Sequence, residues 1–223
     1  MNHRNSKLLD HLWGFLSEDR QAMFLDKIEQ RSNHVTVAIE NVYQPHNASA
    51  VLRSADCFGL TDVHIIENDN EYVLNPNVTM GSAKWLNIHR YNKQDHNTED
   101  ALMALKQKGY RIIATSPHGD STPLAKLEIK QPVALLFGTE ISGLSDVAMD
   151  MADETMVIPM YGFTESFNIS VSAALCLYDI SSRMRETDIN WQLSEEERMD
   201  TLLQWARRSI KKSDEIERRF LDQ

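Results

Sequence analysis

Residues 155–185 run TMVIPMYGFTESFNISVSAALCLYDISSRMR, and this stretch sets the fold class. Thr155 to Ile158 is a short strand-like run that stops at Pro159. Gly162 marks a loop, and Ser166 to Asn168 supply the polar side chains that open a helix. From Asn168 to about Arg185 the chain is apolar and rich in Ala and Ser. Ser170, Ser172, Ala173 and Ala174 are small enough to let that helix pack closely against another backbone. Strand, loop and long helix in that order make one βα unit.

The same unit recurs upstream. Val35 to Ile39 (VTVAI) is a buried β-branched run, followed by the loop NVYQPHN and a helix for which Asn47 is the expected N-cap and Gly59 the stop. Val63 to Ile66 is strand-like, Asn68 to Thr79 a polar loop, Asp100 to Lys108 helical, and Tyr110 to Ala114 strand-like. Val133 to Phe137 is fully apolar, and Ser145 to Ala152 is a short helix. Strands alternating with helices predict an α/β fold with a mostly parallel sheet covered on both faces. Before it, Met23, Phe24 and Ile28 recur at helical spacing between Ser17 and about Arg31. After Arg185 no strand pattern remains. Ser194 and Glu197 form a capping box there, and Leu202, Leu203, Trp205 and Ile210 make an apolar stripe. The expected organisation is a helical extension over 1–31, an α/β domain over 32–185 and a helical extension over 186–223.

At 223 residues, with 42% hydrophobic and 25% charged residues, the chain can bury a full core. It has no apolar run of the roughly 18 residues a membrane-spanning helix needs. Its N-terminus, MNHRNSKLLDHLWGFLSEDR, lacks the apolar stretch of a signal peptide, so a cytoplasmic location is expected. Cys57 and Cys176 show no CxxC spacing and no neighbouring His cluster, which predicts buried free thiols and no metal site. The net charge of −10 opposes generic attraction to phosphates but leaves room for a local basic patch.

Three loops combine residues suited to chemistry. Pro45 to Arg53 (PHNASAVLR) lies where a strand's carboxyl end enters a helix, the usual ligand position in open α/β sheets. Alone, Asn47 suits a cap and Arg53 a surface charge. Leu135 to Leu144 (LLFGTEISGL) ends a buried strand at Gly138 and sets Glu140 between two glycines, with neither a Walker nor a GxGxxG pattern. Its residues suit a turn or a binding loop equally. Ile158 to Ala174 is the third.

Together and in order, these loops resemble the signature motifs of the SpoU family in the SPOUT superfamily. Asn47, Ala50 and Arg53 match the first motif, and Phe137, Gly138, Glu140 and Gly143 the second. The third is matched by Ile158, Pro159, Met160, Gly162, Ser166, Asn168 and Ser170, with Phe167 in place of Leu and Ile169 in place of Val. ENVYQPHNASAVLR and Gly81 to Trp85 (GSAKW) are most similar to the tRNA guanosine-18 2′-O-methyltransferases of the TrmH type. The resemblance covers about Arg31 to Arg185.

That resemblance implies a deep C-terminal trefoil knot, a homodimer whose interface helps form the site, and an S-adenosylmethionine cleft lined by Thr115, Gly138, Ile158, Met160 and Phe167. The implied reaction is methylation of a ribose 2′-hydroxyl at guanosine 18 in the tRNA D-loop. Ribosomal RNA or another tRNA position, or a non-catalytic SPOUT-fold RNA-binding module, stand as alternatives. Arg53 is the catalytic residue by resemblance. A guanidinium with a pKa above about 12 suits a phosphate clamp better than a base. Asn47 is expected to orient Arg53 or the ribose, while Glu140, Ser166 and Asn168 shape the site. The basic residues expected to meet RNA are Arg31, Lys84, Arg183 and Arg185, with Arg20, Lys27 and the pairs Arg207-Arg208 and Lys211-Lys212 as further candidates.

Overall fold

The computed structural model describes residues 3–116, 121–139 and 142–222. The chain forms two compact units, Asn33–Trp191 and a second made of Met1–Ser32 with Gln192–Gln223.

The larger unit holds a parallel sheet of strands β1 (Val35–Glu40), β2 (Asp62–Ile66), β3 (Asn87–Tyr91), β4 (Arg111–Thr115), β5 (Thr122–Pro123), β6 (Val133–Phe137) and β7 (Glu154–Val157). Their order is β3-β2-β1-β6-β4-β7-β5. Val37 aligns with Val63 on one side and Leu135 on the other, so β1 and β6 sit centrally. Both are buried along their whole length, as the uninterrupted apolar run VALLF requires of a strand covered twice.

Alternate residues serve the two faces. Val35, Val37, Ile39, Val63, Ile65, Leu135 and Phe137 meet helices α3 (Pro45–Cys57) and α7 (Ile169–Arg185). Ala38, Ile66, Ile112, Ala134 and Leu136 meet α5 (Thr98–Gln107) and α6 (Asp146–Met151). Helices α3 and α7 touch each other, and Ala48, Ala55 and Ala173, all fully buried, permit the close approach. Ile189 and Trp191 also pack on this core, so residues 186–191 stay with the sheet unit.

The smaller unit joins α1 (His3–Trp13) and α2 (Glu18–Ile28) to α8 (Glu195–Ser209) and α9 (Ser213–Leu221). Leu8 and Leu12 bury against Leu203 and Ala206, and Phe24 meets Trp205 edge-on at 5.3 Å. Glu29 and Arg198 form a bidentate ion pair.

Several expectations need correction. Helix α3 begins two residues before Asn47, because Pro45 has a fixed φ and no N–H to lose, which makes it the natural first helical residue. Its N-cap is Gln44, so Asn47 is freed from capping. Cys57 is exposed, and only Cys176 is a buried thiol, raised by burial to about 12. The segment taken as a polar loop contains the single turn α4 (Pro76–Thr79), and strand β3 was not anticipated.

Candidate active site

The carboxyl ends of β4, β6 and β7 open onto one cleft of about 570 Å³, within the range of small-molecule sites. All five residues expected at a cofactor, Thr115, Gly138, Ile158, Met160 and Phe167, line it, together with Ser166 and Asn168. The first loop contributes no lining residue. Glu140 lies outside the described residues.

One wall is the loop after β6. Thr139 and Gly143 exchange backbone hydrogen bonds of 2.9 and 3.1 Å, and the Ser142 N–H donates to Thr139 Oγ1 at 3.0 Å. The loop therefore folds back on itself over Gly138. A Cβ at that position would stand 2.2 Å from the Gly143 carbonyl and 2.4 Å from the Leu144 nitrogen, a space only glycine leaves open. Gly143 has φ +71°, again suited to glycine. The opposite wall is the Ile158 to Ile169 stretch. Beneath, the Thr115 hydroxyl donates to the Leu136 carbonyl at 2.9 Å and the Ser116 N–H to the Met156 carbonyl at 3.0 Å, which locks the strand ends together. Apolar side chains from Phe137, Leu144, Met149 and Met156 complete a slot suited to an adenine ring, with Ser and Asn groups at its rim.

Asn168 caps α7 and also reaches α3. Its Oδ1 accepts from the Ser170 N–H at 2.9 Å and the Ser170 hydroxyl at 2.6 Å, and its Nδ2 donates to Asn47 Oδ1 at 3.1 Å. Asn47, in turn, donates to Gln44 Oε1 at 3.3 Å. Thus the first and third loops meet through two of the expected catalytic residues.

Arg53 is not part of that contact. Six residues on a helix turn the side chain about 120° away from Asn47, and Arg53 stands exposed on α3 with no hydrogen bond or ion pair among the described residues. Within one chain Asn47 therefore does not orient Arg53.

The basic residues separate by environment. Arg183 is spent on structure, donating to Asp179 at 2.8 Å and to the carbonyls of Leu127 and Leu124 at 2.9 and 3.1 Å. Arg185 lies 4.4 Å over the Trp191 ring, and burial lowers its pKa. Arg31 is buried with its guanidinium 5.2 Å over Trp205. Of the four expected RNA contacts only Lys84, in the turn Ser82–Lys84, is exposed.

A carboxylate that the motifs do not include completes the region. Glu40, at the end of β1, is 2% exposed and accepts from Thr98 Oγ1 at 2.6 Å, Ser145 Oγ at 2.6 Å and the Ser145 N–H at 2.8 Å. Its sequence signals are a charge directly closing an apolar strand and its place at the head of ENVYQPHNASAVLR.

Comparison with known proteins follows the same outline. The model of the SpoU rRNA Methylase family matches residues 34–178. A tRNA (guanosine(18)-2′-O)-methyltransferase of Borreliella burgdorferi is 39% identical over 203 residues, covering 91% of each chain. The Aquifex aeolicus protein of the same name is 30% identical over 192 residues, 85% of this chain and 89% of that one. Among solved structures, an A. aeolicus TrmH/SpoU tRNA modifying enzyme superposes with a TM-score of 0.78 at 30% identity, over 87% of this chain and 98% of that chain. The SpoU methyltransferase AviRb from Streptomyces viridochromogenes, in complex with AdoMet, gives 0.61 at 27% identity, over 73% and 65%.

Proposed function

The chain belongs to the SpoU methylase family, and from that premise we propose that it methylates the ribose 2′-hydroxyl of guanosine 18 in the tRNA D-loop, with S-adenosylmethionine as donor. The observation that carries this reading is the convergence of Thr115, Gly138, Ile158, Met160 and Phe167 on one cleft, beside the Asn47–Asn168 contact. The apolar slot and backbone-rich walls fit an adenosine, and Ser166 and Asn168 fit the polar remainder.

S-adenosylmethionine held there would supply an electrophilic methyl group, its sulfonium becoming a neutral thioether. The protein's part is positioning and charge. Arg53 holds a permanent positive charge that can grip the phosphate next to the target ribose and stabilise negative charge growing on the 2′-oxygen. It cannot take the proton at neutral pH, so water or a phosphate oxygen receives it. Asn47 and Asn168 hold the approach side of the cleft rigid, and Ser166 completes the acceptor side.

RNA contact draws support from the cleft's own loop. Tyr161 and Phe163 stand fully exposed on it, with faces able to stack on unpaired bases. Lys84 and Arg53 supply exposed charge.

The working form is a homodimer. Val171, Leu175 and Tyr178 make an exposed apolar stripe along α7 at spacings of four and three, suited to burial by a second copy. The C-terminal part of the sheet unit is threaded as a trefoil knot, and the protein works in the cytoplasm, where tRNA is processed. Among the described residues no helix is long and apolar enough to cross a membrane.

The test is to map 2′-O-methyl groups in total RNA from cells with and without the protein. Loss of the mark at guanosine 18 is expected, and its persistence there would refute the assignment.

A further inference from the structure

Glu40 buries a carboxylate and satisfies it with neutral donors alone among the described residues: the Thr98 hydroxyl, the Ser145 hydroxyl and the Ser145 N–H, all within 2.8 Å. Burying a carboxylate is costly unless such donors are fixed in place. The arrangement therefore locks its partners as firmly as they lock it.

What it locks is the exit of the cofactor loop. Ser145 directly follows Gly143 and Leu144, both of which line the cleft, and it is the N-cap of α6. The loop's entry is fixed by β6, and Thr139 is tied to Gly143 by a backbone bridge. The exit is fixed by Glu40.

The post itself is rigid. Asn41, the next residue, adopts φ +53°, and its Oδ1 accepts from the N–H groups of Asp69 and Asn70 at 2.9 and 2.8 Å. Its own N–H donates to the Ile66 carbonyl at 2.7 Å. Four residues beyond Asn41 the chain enters α3, which carries Asn47 and Arg53. One strand end thus anchors both the helix of the acceptor side and the wall of the cofactor side.

We infer that Glu40 is a positioning residue for the cofactor, holding the Gly143–Leu144 wall at the spacing that admits S-adenosylmethionine. This inference rests on the methyltransferase reading above. Glu40→Gln keeps the shape but turns an acceptor into an NH2 group, which cannot accept from both Ser145 donors and Thr98. Ser145→Ala removes the hydroxyl arm to Glu40, and with it the cap on the Ala148 N–H, but leaves the backbone arm.

The experiment is calorimetric titration of S-adenosylhomocysteine into wild type, Glu40→Gln, Ser145→Ala and Leu105→Ala. Leu105 lies on α5, buried in the sheet core, and takes no part in the Glu40 hydrogen bonds, so its variant controls for lost stability. Glu40→Gln should weaken binding about ten-fold or more, the worth of one charge-assisted hydrogen bond, and Ser145→Ala should weaken it less. Activity at saturating cofactor should recover towards the wild-type kcat while KM for S-adenosylmethionine stays raised. Leu105→Ala should lower Tm and leave affinity unchanged. Wild-type affinity in a folded Glu40→Gln protein overturns the inference and leaves the methyltransferase reading standing. Equal weakening by Leu105→Ala overturns it too, by reducing the effect to stability. Failure of wild type to bind refutes the methyltransferase reading, and the inference with it.

Discussion

The Asn168 side-chain amide donates to Oδ1 of Asn47 across 3.1 Å and 121 positions of sequence. One end of Asn168 caps the long helix α7 while the other holds the start of α3. The two roles separate by substitution. Asn47→Ala removes the bridge and the donation to Gln44 but leaves the α7 cap in place, so methyl transfer should fall about ten-fold with a small change in Tm. Asn168→Ala removes the cap as well and should add a stability loss of about 1 kcal/mol. Single-turnover methylation alongside thermal melts checks both, and equal melting of the two variants would refute the division of roles.

Arg53 is exposed and unpaired among the described residues, so its removal should leave fold and cofactor affinity intact. Arg53→Ala should cost on the order of 100-fold in kcat, as loss of a charge-stabilising group does. Arg53→Lys keeps the charge but loses the planar fork and should fall between. Near-wild-type turnover by Arg53→Ala would remove this residue from the chemistry.

Gly138→Ala tests the clasp at the cleft. The added Cβ meets the Gly143 carbonyl at 2.2 Å, so the loop must open. Binding of S-adenosylhomocysteine should be lost while circular dichroism of the sheet unit is retained. Unchanged affinity would mean that the loop does not shape the cofactor wall.

The basic residues should divide in the same assay. Lys84→Ala should weaken tRNA binding and lower the slope of log affinity against log salt by about one. Arg183→Gln should leave that slope alone and lower Tm, because its guanidinium joins α7 to the Leu124 and Leu127 carbonyls.

An acid-sensitive point lies away from the cleft. His64 is fully buried, its Nδ1 is 3.0 Å from the Tyr91 hydroxyl, and its ring stacks on His89. Burial, with the neighbouring His89 charge, pushes its pKa down to about 3. The unfolded chain protonates this imidazole below about pH 6.5, the folded chain only near pH 3, so stability falls as pH drops through that window. Each unit of pH below 6.5 should cost up to about 1.4 kcal/mol. Urea unfolding at pH 7.5 and 5.5 should show the loss in wild type and a smaller one in His64→Gln.

The alternation of strands and helices was legible because β1, β4 and β6 are apolar runs separated by Gly, Pro and Asn. Strand β3, NIHRY, was not, because it lies at the sheet's edge with most of its residues partly exposed. Asn47 looked like a cap because caps favour Asn, yet Pro45 two residues earlier settles where the helix begins. Of the five residues expected at a cofactor, Gly138, Ile158, Met160 and Phe167 are motif positions and Thr115 is not, and all five line one cleft. Which basic residues stay exposed was not legible, since charge in a sequence says nothing of its neighbours. Arg183 is claimed by carbonyls more than fifty positions away, and Arg31 by Trp205. Glu40 escaped for the same reason, its partners lying 58 and 105 positions distant.

The pairing of Leu8 and Leu12 with Leu203 and Ala206 imposes an order on biosynthesis. Helices α1 and α2 emerge from the ribosome with their apolar faces uncovered, and all of Asn33–Trp191 must be made before α8 arrives. At about 5–20 residues per second that interval lasts on the order of ten seconds, long enough for the sheet unit to fold first. A chain terminated before Gln192 would leave the Leu8 and Leu12 faces without the Leu203 and Ala206 that cover them.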